Sequence, residues 1–277
     1  MERLVGRAPE HICQLLRQDC SGCVEMVNSR GIYLHIKGKR ILLCHSDFGV
    51  VPNGVAVEAW EQLPSLLAPG QPVAVKDGQL LLVSGALKLQ LHSVPKETNT
   101  VSPDEKWLQE GVNLLIANRK ETGLSSLVYP LFIEQTSELN PYCRVALPHV
   151  RALLQGLKED KTEEISPSVC ALMGLGPGLT PSGDDLLSGL VYGLRHSPIR
   201  DSAACNTLIT TIREFAPERT NAVSADYLLA MADDAPFALM AEAWKDPAAG
   251  AALMQIGSNS GSEMLLGLLC AGSVLCA

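Results

Sequence analysis

Apolar and polar residues alternate with a period of two through much of the N-terminal third of the chain. Ile and Leu occupy alternate positions in residues 32–37, and Leu does so again in residues 87–91. An Asp-Gly pair at residues 77–78 separates two further apolar segments, as in a tight β-hairpin. Strict alternation is typical of strands with one buried face. Residues 23–94 are therefore predicted to form a small antiparallel β domain, barrel-like and interrupted by a helix near residues 57–67.

The rest of the chain lacks this alternation and carries helical signals. The polar stretch at residues 96–101 is typical of a linker, and the Ser-Pro-Asp-Glu that follows it has the order of a helix start with Ser102 as the cap. Ala, Gly, Leu and Met then dominate, as expected for helices buried on several sides. Helices are predicted at residues 9–17, 148–158, 186–195, 205–215, 221–232, 237–244, 248–256 and 260–275. The sequence indicates an α+β protein with a β-rich domain at residues 1–95 and a mainly α-helical domain at residues 96–277.

The composition narrows the functional classes. The chain has 277 residues, of which 47% are hydrophobic and 4% aromatic, and a net charge of −8. Proteins that bind nucleic acids or anionic membranes non-specifically need a basic face, and those that stack on bases need exposed aromatic side chains. Neither a nucleic acid nor a membrane is therefore expected as a partner. The N-terminus lacks the apolar core of a signal peptide, and the longest apolar run, residues 265–277, is too short to span a bilayer. These features predict a soluble cytoplasmic protein.

Common catalytic and metal-binding motifs give little guidance. The sequence contains no nucleophile elbow, Walker loop, dinucleotide fingerprint or His-x-x-x-His pair. Its nine cysteines are scattered, many of them in apolar segments, as small buried residues are. Cys20 and Cys23 are close together, but they precede a predicted strand, whereas a redox pair needs a helix start. The glycine- and proline-containing turn at residues 48–54 fits a strand connection, or alternatively a loop that covers a pocket of the helical half.

One segment organises the helical half. Residues 174–189 read Gly-Leu-Gly-Pro-Gly-Leu-Thr-Pro-Ser-Gly-Asp-Asp-Leu-Leu-Ser-Gly, a glycine-rich loop that runs into a helix. Thr180 is suited to cap that helix with a proline in the first position, or Ser182 caps it with Asp185 as the acid of a capping box. Either start leaves backbone N–H groups facing the loop, which suits an anion. Asp184 and Asp185 would repel an anion unless they hold a cation, bind a donor or turn away.

The frame of this helix start recurs near the C-terminus. Residues 182–190 align without gaps with residues 260–268, and both read Ser-Gly-x-acid-x-Leu-x-Gly-Leu. Two such frames suggest paired helices whose N-termini face a common pocket, with the glycines allowing close backbone contact. Two well-capped core helices are the alternative interpretation.

Three acids are candidates for chemistry at these helix starts. Asp184, Asp185 and Glu263 offer hard oxygen ligands that suit Mg²⁺ held through water, the one cofactor that the acids suggest. Helix capping is the alternative for at least one of them. The segment at residues 219–224 supplies a cation, an amide and hydroxyls, which suit a small anionic or carbamoyl-like group. A plain N-cap at Asn221 is the simpler alternative there.

These motifs resemble those of a bacterial family, long labelled as uncharacterised, whose best-placed member is AllH, a subunit of the oxamate carbamoyltransferase of anaerobic allantoin breakdown. The string at residues 174–189 is similar to the family signature. Residues 222–227 resemble its Ala-Val-Ser-x-x-Tyr helix start, and residues 257–263 resemble its Gly-x-x-Ser-Gly-x-acid segment. Gly183 stands where AllH has His, and Glu263 stands where it has Asp.

The resemblance implies a subunit of a hetero-oligomeric carbamoyltransferase that acts with other subunits. It would move a carbamoyl group between phosphate and a carbamoylated catabolite such as oxalurate, with oxamate, carbamoyl phosphate or phosphate as the small anionic ligand. The alternatives are a non-catalytic metabolite-binding or scaffolding subunit and, more remotely, a metal-assisted hydrolase. The residues assigned to the site are Asp184, Asp185 and Glu263 as catalytic acids, and Gly176, Gly178, Thr180, Ser182, Gly183, Arg219, Asn221, Ser224, Asn259, Ser260 and Gly261 as substrate-binding residues.

Overall fold

The computed structural model of the chain describes residues 2–28, 30–82, 87–96, 100–133 and 138–276. The chain divides into two compact units. The first comprises the residues up to Glu97 together with Ala235–Ala238, and the second comprises Thr98–Asp234 and Leu239–Ala277. Whether the parts at residues 1–95 and 96–277 fold as independent domains stays a prediction.

The first unit is a closed barrel of eight strands. The strands are β1 (Glu2–Pro9), β2 (Cys20–Val27), β3 (Gly31–Ile36), β4 (Lys39–His45), β5 (Gly54–Val57), β6 (Pro72–Lys76), β7 (Gln79–Leu82) and β8 (Leu87–Val94), with short helices α1 (Glu10–Leu15) and α2 (Leu63–Leu66) between them. Around the barrel their order is β1, β5, β4, β3, β2, β6, β7, β8. The β1–β8 and β4–β5 pairs are parallel, and the other pairs of these strands are antiparallel. The predicted barrel is confirmed, and its sheet is mixed.

The alternating pattern builds the barrel interior. Ile32, Leu34 and Ile36 of β3 are fully buried, while the positions between them are more exposed. The β6–β7 hairpin turns at Asp77 and Gly78, which have positive φ angles of 51° and 71°. A two-residue turn of this kind matches the twist of the flanking strands. Local sequence pattern therefore determines both the buried face and the hairpin.

The helix predicted near residues 57–67 is largely wrong. Val57 ends strand β5, where it pairs with Gly6 of β1 and is fully buried. A single 3-10 turn at Trp60–Gln62 leads into the four-residue helix α2. Pairing within the closed sheet therefore decides the structure at the start of this segment.

The turn at residues 48–54 connects β4 to β5, as predicted. The carbonyl oxygen of Val50 accepts a 2.8 Å hydrogen bond from the N–H of Ala238. That residue belongs to the first unit although it lies far along the chain. The alternative role of this turn, as cover for a ligand pocket, stays a prediction.

The remaining helices are α3 (Glu105–Ala117), α4 (Pro141–Glu159), α5 (Ile165–Leu172), α6 (Ser182–Arg195), α7 (Ala203–Arg219), α8 (Ala222–Ala232), α9 (Ala238–Lys245), α10 (Gly250–Leu253) and α11 (Ser260–Leu275). The predicted bounds of α11 are confirmed, and α8 begins one residue later than predicted. Helix α4 is longer than predicted, because Pro148 lies inside it. The predicted cap of α3 at Ser102 is wrong, since Asp104 caps this helix by accepting a 2.8 Å hydrogen bond from the N–H of Trp107.

Helices α6 and α11 pack together at the centre of the second unit. A Cβ atom on Gly189 or Gly267 would lie 2.0 or 2.1 Å from a carbonyl oxygen of the other helix, so only glycine fits. One turn further along both helices, Gly193 lies against Ala271, which shows that the helices run in the same direction. Both are buried along nearly their whole length, yet no described helix of the chain is long and apolar enough to cross a membrane.

Candidate functional site

Helix α6 begins immediately after Pro181, which has extended backbone angles (φ −56°, ψ 144°), and no side chain caps it. Both predicted caps are therefore wrong, because Thr180 precedes the N-cap position and Ser182 is already helical. The carbonyl oxygen of Pro181 accepts hydrogen bonds from the N–H groups of Asp184 and Asp185, at 2.9 and 3.1 Å. These bonds occupy donors that a capping side chain would otherwise take.

The glycine-rich loop before α6 is folded by unusual backbone angles. Gly174, Gly176 and Gly178 have φ angles of 74°, 116° and 105°, a region that other residues rarely adopt. The N–H of Gly183 donates to the carbonyl oxygen of Leu175 over 2.8 Å, which closes the loop onto the helix. The first-turn N–H groups from Gly183 onward are thus engaged within the protein. The prediction that they remain free for an anion is wrong.

Unengaged donors lie in the loop itself. The N–H groups of Gly176, Gly178, Leu179 and Thr180 make no hydrogen bond to the part of the chain that the structure describes. Pro177, Gly178 and Leu179 are exposed, and Leu179 has 40% of its surface in solvent. Successive N–H groups in a tight turn form concave sites that attract anions. The backbone donors that are left for an anion therefore lie in the loop, ahead of the helix.

Asp184 is buried and joins three elements. Its Oδ1 accepts a 2.8 Å hydrogen bond from the N–H of Gly174. Its Oδ2 accepts hydrogen bonds from the hydroxyls of Thr220 and Ser224, at 2.5 and 2.7 Å. Burial raises the pKa of this carboxyl, and the three donors oppose that rise. Asp184 thus fixes the glycine-rich loop and the start of α8 to the first turn of α6.

The junction between α7 and α8 borders one side of the loop. Asn221 caps α8 as predicted, because its Oδ1 accepts from the N–H groups of Val223 and Ser224 over 3.1 Å each. Its Nδ2 donates to the carbonyl oxygen of Leu179 over 2.9 Å. Arg219, at the end of α7, is exposed. An anchored amide therefore stands beside the exposed part of the loop, and the backbone carbonyl of Arg219 packs against Gly174.

The start of α11 borders the loop as well. The hydroxyl oxygens of Thr180 and Ser260 lie 2.9 Å apart, so the starts of α6 and α11 are adjacent, as predicted. Asn259 occupies the N-cap position of α11 without capping it. Its Nδ2 instead donates to the hydroxyl of Thr122 over 3.0 Å. The hydroxyls of Thr180 and Ser260 thus form a polar bridge between the two helix starts.

Two predicted substrate-binding glycines are packed against backbone. A Cβ atom on Gly183 would lie 2.0 Å from the carbonyl oxygen of Leu172, and one on Gly261 would lie 1.9 Å from that of Leu253. This contact explains why glycine stands at both positions. Their role in binding stays a prediction.

Asp185 and Glu263 form a buried acid pair beneath the hydroxyl bridge. They are 2% and 1% exposed. Burial, together with the negative charge of Glu263, raises the pKa of Asp185 well above its ordinary value, and the hydroxyl of Ser260 opposes the shift. Burial also raises the pKa of Glu263, against hydrogen bonds that include one from Ser182. Each acid is thus approached by the first Ser of the opposite helix, and two carboxyls in one buried site favour retention of a proton.

Glu263 is held by a segment far away in the chain. Its Oε1 accepts a 2.8 Å hydrogen bond from the N–H of Leu124. Gly123 has a φ angle of 82°, and a Cβ atom there would lie 1.8 Å from the same oxygen. The other oxygen, Oε2, is buried without a hydrogen-bond partner among the described residues, and so is Oδ2 of Asp185. These two oxygens are unused acceptors inside the acid pair.

The structure gathers the predicted site residues at the starts of α6, α8 and α11. Sequence reasoning did not assign Thr220, Gly123 or Leu124 to the site. The hydroxyl of Thr220 was visible within the segment at residues 219–224, whereas Leu124 gave no signal because 139 residues separate it from Glu263. Among the described residues, no group of three or more His, Cys, Asp or Glu side chains is arranged to hold a metal ion.

The model of a family described as oxamate carbamoyltransferase subunit AllH matches residues 172–272. This range contains the glycine-rich loop and the starts of α6, α8 and α11, and the match confirms the resemblance over this part of the chain. No curated protein and no solved structure matches the chain.

Proposed function

We propose that the chain is a subunit of an oxamate-type carbamoyltransferase, which moves a carbamoyl group between phosphate and a carbamoylated catabolite such as oxalurate. The observation that carries the proposal is the position of the family match, since residues 172–272 include the whole loop and all three helix starts. The proposal includes other subunits as partners, a cytoplasmic location, and a role in purine and allantoin nitrogen breakdown.

The glycine-rich loop is the proposed binding site for the anionic group of the substrate. Helix-dipole attraction contributes only about 0.3–1 kcal/mol at an exposed helix start. Useful affinity therefore depends on several donors acting together. The unengaged N–H groups of Gly176, Gly178, Leu179 and Thr180 supply four, and Arg219 is an exposed cation at the end of helix α7, whose backbone packs against Gly174.

The proposed chemistry is a carbamoyl transfer through a tetrahedral intermediate. The oxamate nitrogen attacks the carbamoyl carbon of carbamoyl phosphate, the bond from that carbon to the phosphate oxygen breaks, phosphate leaves, and the nitrogen loses a proton to solvent. Backbone N–H groups aimed at the developing oxyanion lower the barrier to such a step. The loop is suited to that task without a nucleophilic side chain.

The three acids are proposed to support the site in different ways. Asp184 positions the loop, since both of its oxygens accept hydrogen bonds within the protein. Asp185 and Glu263 are too buried to reach a ligand at the loop, so they act through the hydroxyls of Thr180 and Ser260. A direct catalytic role for these acids stays a prediction.

A non-catalytic metabolite-binding subunit is the second candidate. The observation that favours it is the chemistry of the described side chains around the loop. The amide of Asn221 and the hydroxyls of Thr180 and Ser260 are hydrogen-bond donors, and none of these groups is a base. In that case the ligand is held here and the bond changes occur on another subunit. No observation favours a metal-assisted hydrolase.

Calorimetry on the full chain tests the loop, with phosphate, oxamate and carbamoyl phosphate as ligands. Gly178→Val should weaken binding about tenfold or more, because it disturbs several charge-assisted hydrogen bonds at once. Gly70→Val is the matched control. Gly178 and Gly70 have φ angles of 105° and 86° and neither has a close neighbour, so both substitutions impose similar backbone strain, but only the first lies in the loop.

Phosphate release by the chain combined with its partner subunits separates the two candidates. Arg219→Gln should lower kcat if this chain carries the reaction, and should raise KM alone if it only binds the metabolite. Failure of all three ligands to bind either the chain or the assembled enzyme would reject both candidates. Equal binding by Gly178→Val and the parent would reject the loop as the site.

A further inference from the structure

Two hydroxyls join the buried acid pair of Asp185 and Glu263 to the glycine-rich loop. The hydroxyl oxygens of Thr180 and Ser260 lie 2.9 Å apart, and both side chains form hydrogen bonds with the carboxyl of Asp185. Thr180 is partly exposed and also carries one of the unengaged N–H groups of the loop. We propose that the acid pair supplies a proton to the ligand held at the loop, and that these two hydroxyls carry it there.

The burial of the acid pair favours one retained proton. Asp185 and Glu263 are 2% and 1% exposed, so water cannot offset two negative charges at this place. One oxygen of each carboxyl, Oδ2 of Asp185 and Oε2 of Glu263, is buried without a hydrogen-bond partner among the described residues. A buried acceptor without a donor is costly, and a proton turns one of the two carboxyls into a donor. Two carboxyls in one buried site share a proton for these reasons.

The groups around the acid pair do not replace that proton. Asp184, on α6, and Cys143, on α4, are titratable neighbours that interact electrostatically with the pair. Asp184 adds negative charge, and burial raises the pKa of the Cys143 thiol to about 11, so the thiol is neutral. Neither neighbour supplies a positive charge. Protonation of the pair is therefore what relieves the repulsion between its carboxyls.

The path from the acid pair to the loop consists of hydroxyls. A hydroxyl both donates and accepts, so it can take a proton from one neighbour while it passes its own proton to the next. The carboxyl of Asp185 is hydrogen-bonded to Ser260, and Ser260 is hydrogen-bonded to Thr180. Both hydroxyl residues are partly exposed, whereas the acids are buried. The proton can therefore reach the surface of the loop, which the carboxyls cannot.

This inference rests on the proposed function and names the source of a proton that the reaction requires. When the bond from the carbamoyl carbon to the phosphate oxygen breaks, the electron pair stays on that oxygen, which takes the proton of the Thr180 hydroxyl. Thr180 then takes a proton from Ser260, and Ser260 takes one from Asp185. Phosphate leaves as a dianion with one proton. The pair regains a proton from solvent, which has received one from the oxamate nitrogen, so the enzyme returns to its starting state.

The pH dependence of phosphate release by the chain combined with its partner subunits tests the proposal. The parent should lose kcat as pH rises through the pKa of the acid pair, because the proton donor is then ionised. Asp185→Asn should have a kcat roughly hundredfold lower, an ordinary contribution of general acid catalysis, and should not show this decline. The same pH profile in Asp185→Asn as in the parent would overturn the proposal.

Thr180→Val interrupts the path while both acids stay in place, so it tests the proposal even if Asp185→Asn does not fold. It should lower kcat about tenfold or more and change KM little, since the backbone N–H at this position still binds the ligand. Thr180→Ser keeps a hydroxyl and should restore most of kcat. Ser188→Ala is the matched control: it removes a buried hydroxyl that bonds to the carbonyl oxygen of Asp184 within helix α6. It should leave kcat and the pH profile unchanged.

Infrared spectra of the full chain detect the proton without any reaction. At mildly acidic pH the parent should show the carbonyl band of a protonated carboxylic acid, which the double variant Asp185→Asn, Glu263→Gln should lack. The band should disappear over the pH range in which kcat falls. Absence of the band in the parent overturns the proposal, and so does a parent-like kcat in Thr180→Val. Ligand binding that depends on Gly178 would keep the proposed function intact in both cases, whereas an assembled enzyme that binds none of its ligands and releases no phosphate would reject both.

Discussion

The starts of α6 and α11 are two copies of one pattern, and they differ mainly in one loop. The residues before each helix correspond as well: Leu-Met-Gly-Leu-Gly at residues 172–176 matches Leu-Met-Gln-Ile-Gly at residues 253–257. Together with the shared frame at residues 182–190 and 260–268, the correspondence extends from the end of one helix into the next. The second unit therefore contains an internal repeat of helix, loop and helix.

The contacts within the repeat correspond too. The N–H of Gly183 donates to the carbonyl oxygen of Leu175 over 2.8 Å, and the N–H of Gly261 donates to that of Ile256 over 3.1 Å. At the crossing of the helices, Gly189 and its counterpart each approach a carbonyl of the partner helix equally closely. The repeated features are thus those that pack the two helices against each other.

The differences gather in the first copy. Five residues, 177–181, separate the matched segments there, whereas two residues, 258–259, separate them in the second copy. The additional length contains the exposed part of the loop and three of the four unengaged N–H groups, those of Gly178, Leu179 and Thr180. Asp184 accepts three hydrogen bonds, while its counterpart Ser262 has a buried hydroxyl with no partner in the described structure. The common part of the repeat builds the fold, and the added part builds the candidate site.

The largest loss of stability is expected for substitutions at positions that the two copies share. Gly189→Ala and Gly267→Ala should each lower the free energy of unfolding by about 3 kcal/mol, at the upper end of overpacking effects, because the new Cβ meets backbone that cannot turn away. Urea unfolding of the full chain measures both values. Similar losses at the two positions would support the equivalence of the copies.

Gly250→Ala is the matched control for the crossing. A Cβ atom there would meet only the ends of the Leu265 and Leu114 side chains, at 3.1 and 3.2 Å. Its cost should stay within about 1 kcal/mol, since flexible side chains can move. A loss as large as that of Gly189→Ala would mean that the close approach of α6 and α11 is not the cause.

A smaller loss of stability is expected for a substitution at a position where the two copies differ. Asp184→Asn should cost about 2 kcal/mol, because its amide nitrogen cannot accept the hydrogen bonds that Thr220 and Ser224 donate to Oδ2. Ser262→Ala, at the counterpart position, should be close to neutral, since its hydroxyl has no partner in the described structure. Thermal melts of the two variants give the comparison. Equal losses would show that Asp184 does not have the special anchoring role assigned to it.

Periodic and local features of this protein were predictable from its sequence, and contacts between distant segments were not. The alternation in β3 and the repeated Ser-Gly frame are visible within a few residues, so the barrel and the pairing of α6 with α11 followed from them. Thr180 and Ser182 both have good capping propensity, but Thr180 instead bonds to Ser260, which is 80 residues away. The contact from Leu124 to Glu263 has no local signature at all.

The smallest change in stability is expected for the acid pair of Asp185 and Glu263, which lies between the two copies, and this change depends on pH. Burial and the charge of Glu263 raise the folded-state pKa of Asp185 well above 3.8. The folded protein therefore binds this proton more tightly than the unfolded chain does, so the stabilisation is complete below the unfolded pKa and is lost as pH rises through the folded pKa.

Asp185→Asn removes the charge and keeps the shape of the side chain, so its stability should not follow this decline. Melts from pH 4 to pH 8 should show the parent losing stability relative to Asp185→Asn as pH rises. Asp201→Asn, which removes a highly exposed acid, should run parallel to the parent. Glu263→Gln should show the same trend as Asp185→Asn, less strongly, because hydrogen bonds from Leu124 and Ser182 oppose the rise in its pKa. If the stability of the parent and of Asp185→Asn changed with pH in parallel, the acid pair would not retain a proton in the folded protein. Asp185 and Glu263 would then ionise independently of each other.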